Sequence, residues 1–270
     1  MTTISESAEP WTFRRRLLAR QLLVGTFIKT PTVHATEILG ALGFDFIVID
    51  EEHAPFDRMA TDTVLLAARA AGTAALVRVQ NVAGILSALD GGATGVLVPH
   101  VSSAARAREA ASACRYKGGR RGYSGSPRHA GYGATGIWKT VEASDAATTV
   151  IAQIEDPEAL DDIDAIAAVE GIDAFFIGRG DLAVALGAKS SDAPEVRLAV
   201  ERIGKAARAA NKPICVFVSG QSEARWLRDQ GATAFVVASD QSFIRKAGGQ
   251  ALDEIRSLDG HAENAQAKAG

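Results

Sequence analysis

Short apolar runs that stop abruptly at a polar residue recur along the chain. "ALGFDFIVID" ends at Asp50, "AGTAALVRVQ" carries Arg78, and "GGATGVLVPH" ends at His100. "TTVIAQIED" carries Gln153 and Glu155, "EGIDAFFIGRGD" ends at Asp181, "NKPICVFVSG" at Ser219, and "QGATAFVVASD" at Asp240. "QLLVGTFIKT" precedes them all. The runs are nearly continuous in Val, Ile, Leu and Phe, the pattern of parallel strands covered on both faces. Amphipathic segments separate them. "DPEALDDIDAIAAV" opens with Asp156 as N-cap, Pro157 in the first turn and Glu158 beside the positive helix end, and "DAPEVRLAVERIGKAARAA" repeats this opening with Asp192, Pro194 and Glu195. Strand and helix alternating in this way over most of the chain predict an α/β fold of the (β/α)8 TIM-barrel type. A doubly wound open sheet is the structural rival, but "FIKTPT" lacks the glycine-rich first turn such a sheet uses. In a barrel the carboxyl ends of the strands form the active-site face, which is where these polar residues gather.

Composition narrows the function classes. The 270 residues are 47% apolar and 23% charged, an ordinary globular balance. A net charge of −3 and a pI near 6.0 give no basic footprint for nucleic acid. No run reaches membrane-span length, and "MTTISESAEPW" lacks the features of a signal peptide, so no membrane partner is expected. Cys114 and Cys215 lie in apolar surroundings without disulfide or zinc spacing, which fits a reducing cytosol and a cytoplasmic protein. The expected domain layout is a flexible N-terminal segment over 1–12, one barrel over 13–255, and a polar, frayed tail over 256–270.

Several strand-end residues carry chemistry. Gln153 and Glu155 are two apart on a strand and share a face, and Asp181 ends the next strand. Two carboxylates from adjacent strands make an oxygen site for Mg2+ or Mn2+, with Co2+ and Zn2+ also admitted. The structural alternative has Glu155 and Asp181 capping the helices that follow them. Arg78, inside an apolar strand, must meet a ligand anion or a buried acid such as Asp50. His53 follows Asp50 by three residues and can move protons near neutrality, with Asp50 and Asp90 as candidate partners for its imidazole. His34, His129 and His261 read as surface histidines. The loop "YKGGRRGYSGSPRHAGYG" carries glycines and arginines suited to an active-site lid or a subunit contact, a mobile surface loop being the alternative. "GRGD" at Gly178 to Asp181 sits in a strand context and does not read as an adhesion motif.

In this order and spacing, "FIVIDEEHAP", "LVRV", "GATGVLVPHV", "RRGYSG", "IAQIED" and "FFIGRGDLA" resemble the metal-dependent (class II) pyruvate aldolases that act on 4-hydroxy-2-oxo acids, over about residues 13 to 255. The resemblance implies His53 as catalytic base, acting alone or through a metal-bound water. It implies Asp90 as the aspartate that raises the basicity of that histidine, across a subunit boundary, and Asp50 as a supporting carboxylate. Arg78 would hold the keto acid and stabilise its enolate, Glu155 and Asp181 would be the metal ligands, and Gln153 with the backbone at Gly180 and Asp181 would contact pyruvate. The resemblance further implies a homohexamer, a dimer of trimers with a helix exchanged between partners. The chain departs from the family pattern at Glu51, where glycine is usual, and at Arg179, where proline is usual.

The expected activity is reversible cleavage of a 4-hydroxy-2-oxo acid to pyruvate and an aldehyde. Three rivals stand beside it. One is a class I aldolase using Lys29 as a Schiff-base amine. The others are a CoA-ester lyase of the citrate-lyase type and a barrel without catalysis that serves as a scaffold.

Overall fold

The computed structural model describes the backbone of residues 10–266 and the side chains of residues 12–258. Its elements are α1 (Pro10–Leu18), β1 (Leu23–Ile28), α2 (Val33–Ala41), β2 (Phe46–Asp50), α3 (Arg58–Ala71), β3 (Ala74–Arg78), α4 (Ile85–Asp90), β4 (Gly95–Val98), α5 (Ala104–Ala113), α6 (Ile137–Ala147), β5 (Thr149–Ile154), α7 (Glu158–Asp161), α8 (Ile163–Ala167), β6 (Ala174–Ile177), α9 (Arg179–Ala185), α10 (Pro194–Ala209), β7 (Ile214–Val218), α11 (Gln221–Asp229), β8 (Ala232–Ser239) and α12 (Asp240–Gln266). All neighbouring strands pair in parallel, and β8 returns to β1, so the sheet closes into the expected eight-stranded barrel. The Asp240 carboxylate helps hold that closure by accepting the backbone N–H groups of Lys29 and Thr30 at 2.9 and 3.0 Å.

Successive strand residues point to opposite faces, and the buried apolar residues divide accordingly. One core lies inside the barrel and contains Leu23, Phe27, Phe46, Val48, Leu76, Leu97, Ile151, Phe176, Cys215 and Val236. The other lies between the strands and the helices and contains Ile47, Ile49, Val77, Val96, Ile154, Ile177 and Val216 with apolar residues of α3, α5 and α10. The inside set alternates strictly, for example Phe46 and Val48 in β2 and Leu76 in β3. Continuing the alternation by one step places Asp50 and Arg78 inside as well, at the carboxyl ends of their strands. Gln153 and Glu155 follow Ile151 in the same phase. Gly95 occupies an inside position where a Cβ would collide with the Thr149 carbonyl, so only glycine fits there.

The amino-terminal end of the barrel is closed by α1. Phe13 and Leu17 belong to the inside core, and the rings of Phe13 and Phe46 stand 5.3 Å apart. Cys114 and Cys215 are buried free thiols, and burial raises both, Cys114 to about 12. Among the described residues no helix is long and apolar enough to cross a membrane.

The helix signals held in part. Pro194 opens α10 with Glu195 in its first turn, and Asp57, not among those signals, caps α3 by accepting the Ala60 N–H at 2.8 Å. Asp156 and Asp192, however, are not caps. Pro157 and Ala193 take those positions, and the segment after Asp156 breaks at Asp162 into α7 and α8. The Asp156 carboxylate turns instead to the His100 ring, at 3.1 Å. Of the expected flexible ends, residues 1–9 and 267–270 lie outside the described residues, and α12 continues as helix to Gln266.

Truncating the plug at the closed end, Phe13→Ala, is expected to cost about 3–5 kcal/mol of stability, the usual range for emptying a buried aromatic site. Urea unfolding followed by circular dichroism measures it, and a loss below 1 kcal/mol would show that α1 does not seal the barrel.

Candidate active site

A buried carboxylate organises the carboxyl-end mouth of the barrel. Asp50 and Arg78 are register partners on β2 and β3. Both point inward, so the guanidinium meets the carboxylate through two hydrogen bonds, Nε to Oδ1 at 2.8 Å and Nη2 to Oδ2 at 2.7 Å. Lys29, just past β1, adds a third contact at 2.7 Å. Burial alone would raise the Asp50 carboxyl, but the hydrogen bonds and charges of Arg78 and Lys29 outweigh it and hold it at about 2. The guanidinium also lies 4.7 Å over the Phe27 ring, fixed from below by the inside core. Of the two partners open to Arg78 from the sequence, the structure therefore supplies the buried acid, while Nη1 still reaches toward Glu52 at 3.3 Å.

Glu52 lies in the turn after β2 and stands between two imidazoles. Its Oε2 is 3.5 Å from His53 Nε2, and its Oε1 is 3.6 Å from His100 Nε2. Glu52 Oε2 is buried and has no hydrogen-bond partner among the described residues. The His53 backbone N–H donates to Asp50 Oδ1 at 3.2 Å, while the ring, 55% exposed, sits at the rim. Within this chain the His53 imidazole thus meets Glu52, and neither Asp50 nor Asp90 touches it.

Glu155 is buried on the other side of the mouth. It accepts the His100 backbone N–H at 2.9 Å, and the Gln153 amide donates to its Oε2. Gly178, past the end of β6, leaves room for it: a Cβ there would lie 2.6 Å from the Glu155 Cβ. Burial raises the Glu155 carboxyl, and so does the negative charge of Asp181, which the first turn of α9 holds nearby. The adjacent Gly180 is exposed. Neither acid serves as a helix cap.

His100 takes φ 53°, a left-handed conformation uncommon for a residue with a side chain. Burial lowers its pKa, but Asp156, Glu155 and Glu52 outweigh that and raise it. Ligand atoms of Glu52, His100 and Glu155 all lie within 4.8 Å of one another. A cation fits such a donor set, because acids crowd together here and Gln153 Oε1 is buried without a partner among the described residues. Glu155 lies in the cluster, Asp181 lies beside it, and Glu52 and His100 join. Neither Glu52 nor His100 was singled out as a ligand from the sequence, although both stand where an apolar run stops.

Asp90 is placed elsewhere. It ends α4 on the outer side of the barrel, where it meets Arg121 at 3.2 Å and His129 Nδ1 at 3.4 Å. His129 is not a surface histidine: its side chain is 8% exposed, its Nε2 lies 2.8 Å from the Tyr116 hydroxyl, and burial lowers its pKa. The loop containing it is pinned to the barrel side by Arg128, which donates to the Gly91 carbonyl at 2.6 Å and to the Asp62 carboxylate at 2.9 Å. A cavity of about 330 Å³ lies between that loop, α3 and α4. His34 is exposed as expected, and the His261 side chain lies outside the described residues. Glu51 turns away from the mouth to accept the Thr61 hydroxyl at 2.7 Å, so its charge does not enter the pocket. Arg179 is buried beside β7, pairing with Glu223 at 2.5 Å and the Phe217 carbonyl at 3.0 Å.

Known proteins share this arrangement of chain. The profile of HpcH/HpaI aldolase/citrate lyase matches residues 23–247. The chain is 34% identical over 251 residues to 5-keto-4-deoxy-D-glucarate aldolase of Escherichia coli strain CFT073, covering 92% of this chain and 97% of that protein. An HpcH/HpaI aldolase/citrate lyase family protein from Burkholderia cenocepacia J2315 superposes with a TM-score of 0.85 at 30% identity, over 91% of this chain and 99% of the other. The citrate synthase SbnG superposes with a TM-score of 0.83 at 27% identity, over 92% and 99%. The match over nearly the whole barrel shows that the chain belongs to the HpcH/HpaI aldolase/citrate lyase family, as a lyase on a TIM barrel.

Proposed function

We propose that the protein is a divalent-metal-dependent aldolase that reversibly cleaves 4-hydroxy-2-oxo acids to pyruvate and an aldehyde. The observation that carries this reading is that an inward-facing guanidinium, Arg78 held by Asp50, shares one mouth of the barrel with the cluster of Glu52, His100 and Glu155. Cleavage of the C3–C4 bond leaves pyruvate enolate, which becomes pyruvate on protonation at C3, and its negative charge needs fixed positive charge at hand. Asp50 holds the Arg78 fork rigid, so little reorganisation is needed as that charge develops. A cation bound by Glu155 and Asp181 would supply Lewis-acid stabilisation at the 2-oxo oxygen.

The remaining roles belong to the chain. His53 takes the C4 hydroxyl proton at the exposed rim, and the electrons of the C3–C4 bond pass into the enolate as the aldehyde leaves. Glu52 orients the His53 ring, and Asp50 orients its backbone. The exposed backbone at Gly180 and Asp181 offers donors for the pyruvate carboxylate, while the Gln153 amide nitrogen is engaged with Glu155. Asp90, engaged here with Arg121 and His129, would serve the base of a neighbouring copy. Lys29 is committed to an ion pair with Asp50, which disfavours the Schiff-base route. The exposed Ile244, Leu252, Ile255 and Leu258 of α12 suit the exchanged helix of a hexamer.

Stripping divalent ions with a chelator is expected to abolish pyruvate release from a panel of hydroxy-oxo acids that includes 5-keto-4-deoxy-D-glucarate, and Mg2+ or Mn2+ should restore it. Undiminished turnover after stripping, or trapping of Lys29 by borohydride and pyruvate, would overturn the reading. Cleavage of malyl-CoA-like thioesters alone would transfer the protein to the citrate-lyase type.

Arg78→Ala should lower kcat/KM by about 10²–10³-fold, the scale of losing one preorganised contact to a developing oxyanion. The variant should stay folded, since Lys29 still pairs with Asp50. Near-normal turnover in a folded variant would remove Arg78 from the mechanism.

A further inference from the structure

His100 is the one cluster member whose donor atoms are nitrogens. It follows Pro99 past the end of β4, and both ring nitrogens face acids. Nδ1 lies 3.1 Å from Asp156 and 3.4 Å from Glu155, and Nε2 lies 3.6 Å from Glu52. The left-handed backbone at His100 sends its N–H to Glu155, so one residue meets the same carboxylate with main chain and ring. Such strain persists only where the surroundings over-determine it. A separate observation points to an absent ligand at the same place: Gln153 is 1% exposed, its amide nitrogen is spent on Glu155, and its Oε1 has no partner among the described residues.

Resting on the reading of this mouth as a metal site, we infer that the His100 imidazole, set between Glu155 and Glu52, is a further ligand of the divalent cation that Glu155 and Asp181 would hold, and tilts the site from Mg2+ toward Co2+ and Zn2+. Mg2+ prefers oxygen donors and gives up water reluctantly, whereas imidazole suits the later divalent metals. Asp156 at Nδ1 is placed to fix the ring and raise its basicity, the usual carboxylate support of a metal-binding histidine. The chain order alone assigns only oxygens to this site, so the imidazole changes the metal chemistry expected of it.

Calorimetric titration of the metal-free protein with Mg2+, Mn2+, Co2+ and Zn2+ tests this in the wild type, His100→Gln, His100→Asn and Glu155→Gln. Both His100 variants keep the backbone N–H to Glu155, and Asn tolerates the left-handed conformation. The wild type should bind Co2+ and Zn2+ at least about 100-fold more tightly than Mg2+. Each His100 variant should lose about tenfold or more of the Co2+ and Zn2+ affinity, with Mg2+ affinity changed by no more than about twofold. Pulsed EPR of the Mn2+-loaded protein should show a nitrogen coupling that disappears in both variants. Unchanged metal preference or a persisting coupling in folded His100 variants overturns the inference. If Glu155→Gln alone abolishes uptake, the metal-dependent aldolase reading stands without His100. If the wild type takes up no divalent ion, both fall together.

Discussion

The mouth of the barrel depends on one buried charge. Asp50 is fully buried and ionised, and Arg78 and Lys29 are the only described cations that hydrogen-bond or pair with it. Leaving such a group with neither water nor counter-ion typically costs about 3–5 kcal/mol, and two cations, either of which can remain if the other is lost, guard against it here. The triad therefore fixes the ends of β1, β2 and β3 relative to one another. It also aims a guanidinium across the pocket and captures the backbone of His53. Stability and function draw here on the same atoms.

On the far side of the mouth, conflict is concentrated rather than relieved. Glu155, Asp181, Asp156 and Glu52 crowd together, burial and Asp181 raise the Glu155 carboxyl, and His100 adopts a strained backbone among them. The buried Gln153 Oε1, without a hydrogen-bond partner among the described residues, belongs to the same region. A packed core would not keep such features unless something gained from them, and a cation that neutralises the acids is the simplest beneficiary. The two halves complement each other: preset positive charge on the Arg78 side, and preset negative charge on the Glu155 side.

The outer face carries a second polar system with a different logic. Asp90, Arg121, His129 and Tyr116 form a largely buried network beneath the 116–133 loop, with the Arg121 guanidinium 4.5 Å over the Tyr116 ring. Arg128 ties the same loop to α3 and to the end of α4. These contacts order the loop against the side of the barrel and keep Asp90 away from the chain's own His53.

The barrel was legible in the sequence because its cause is local and periodic. Each apolar run is bounded by a turn, and an alternating phase carried through Phe46, Val48 and Asp50, or Ile151, Gln153 and Glu155, decides which side chains face inward. That phase also put Arg78 and Asp50 at one mouth, and their cross-strand pairing was among the alternatives the sequence left open. It could not bring His100 and Glu52 together with Glu155, since both leave their strands through turns whose dihedral angles no pattern encodes, nor place Glu51 and His129, whose partners come from other helices and loops. Nor could it show that Asp156 abandons its helix to face an imidazole 56 positions away. Periodicity sets the direction of a side chain relative to its own strand. Which acids share a charge is decided only when the ends of separate strands meet around the closed barrel.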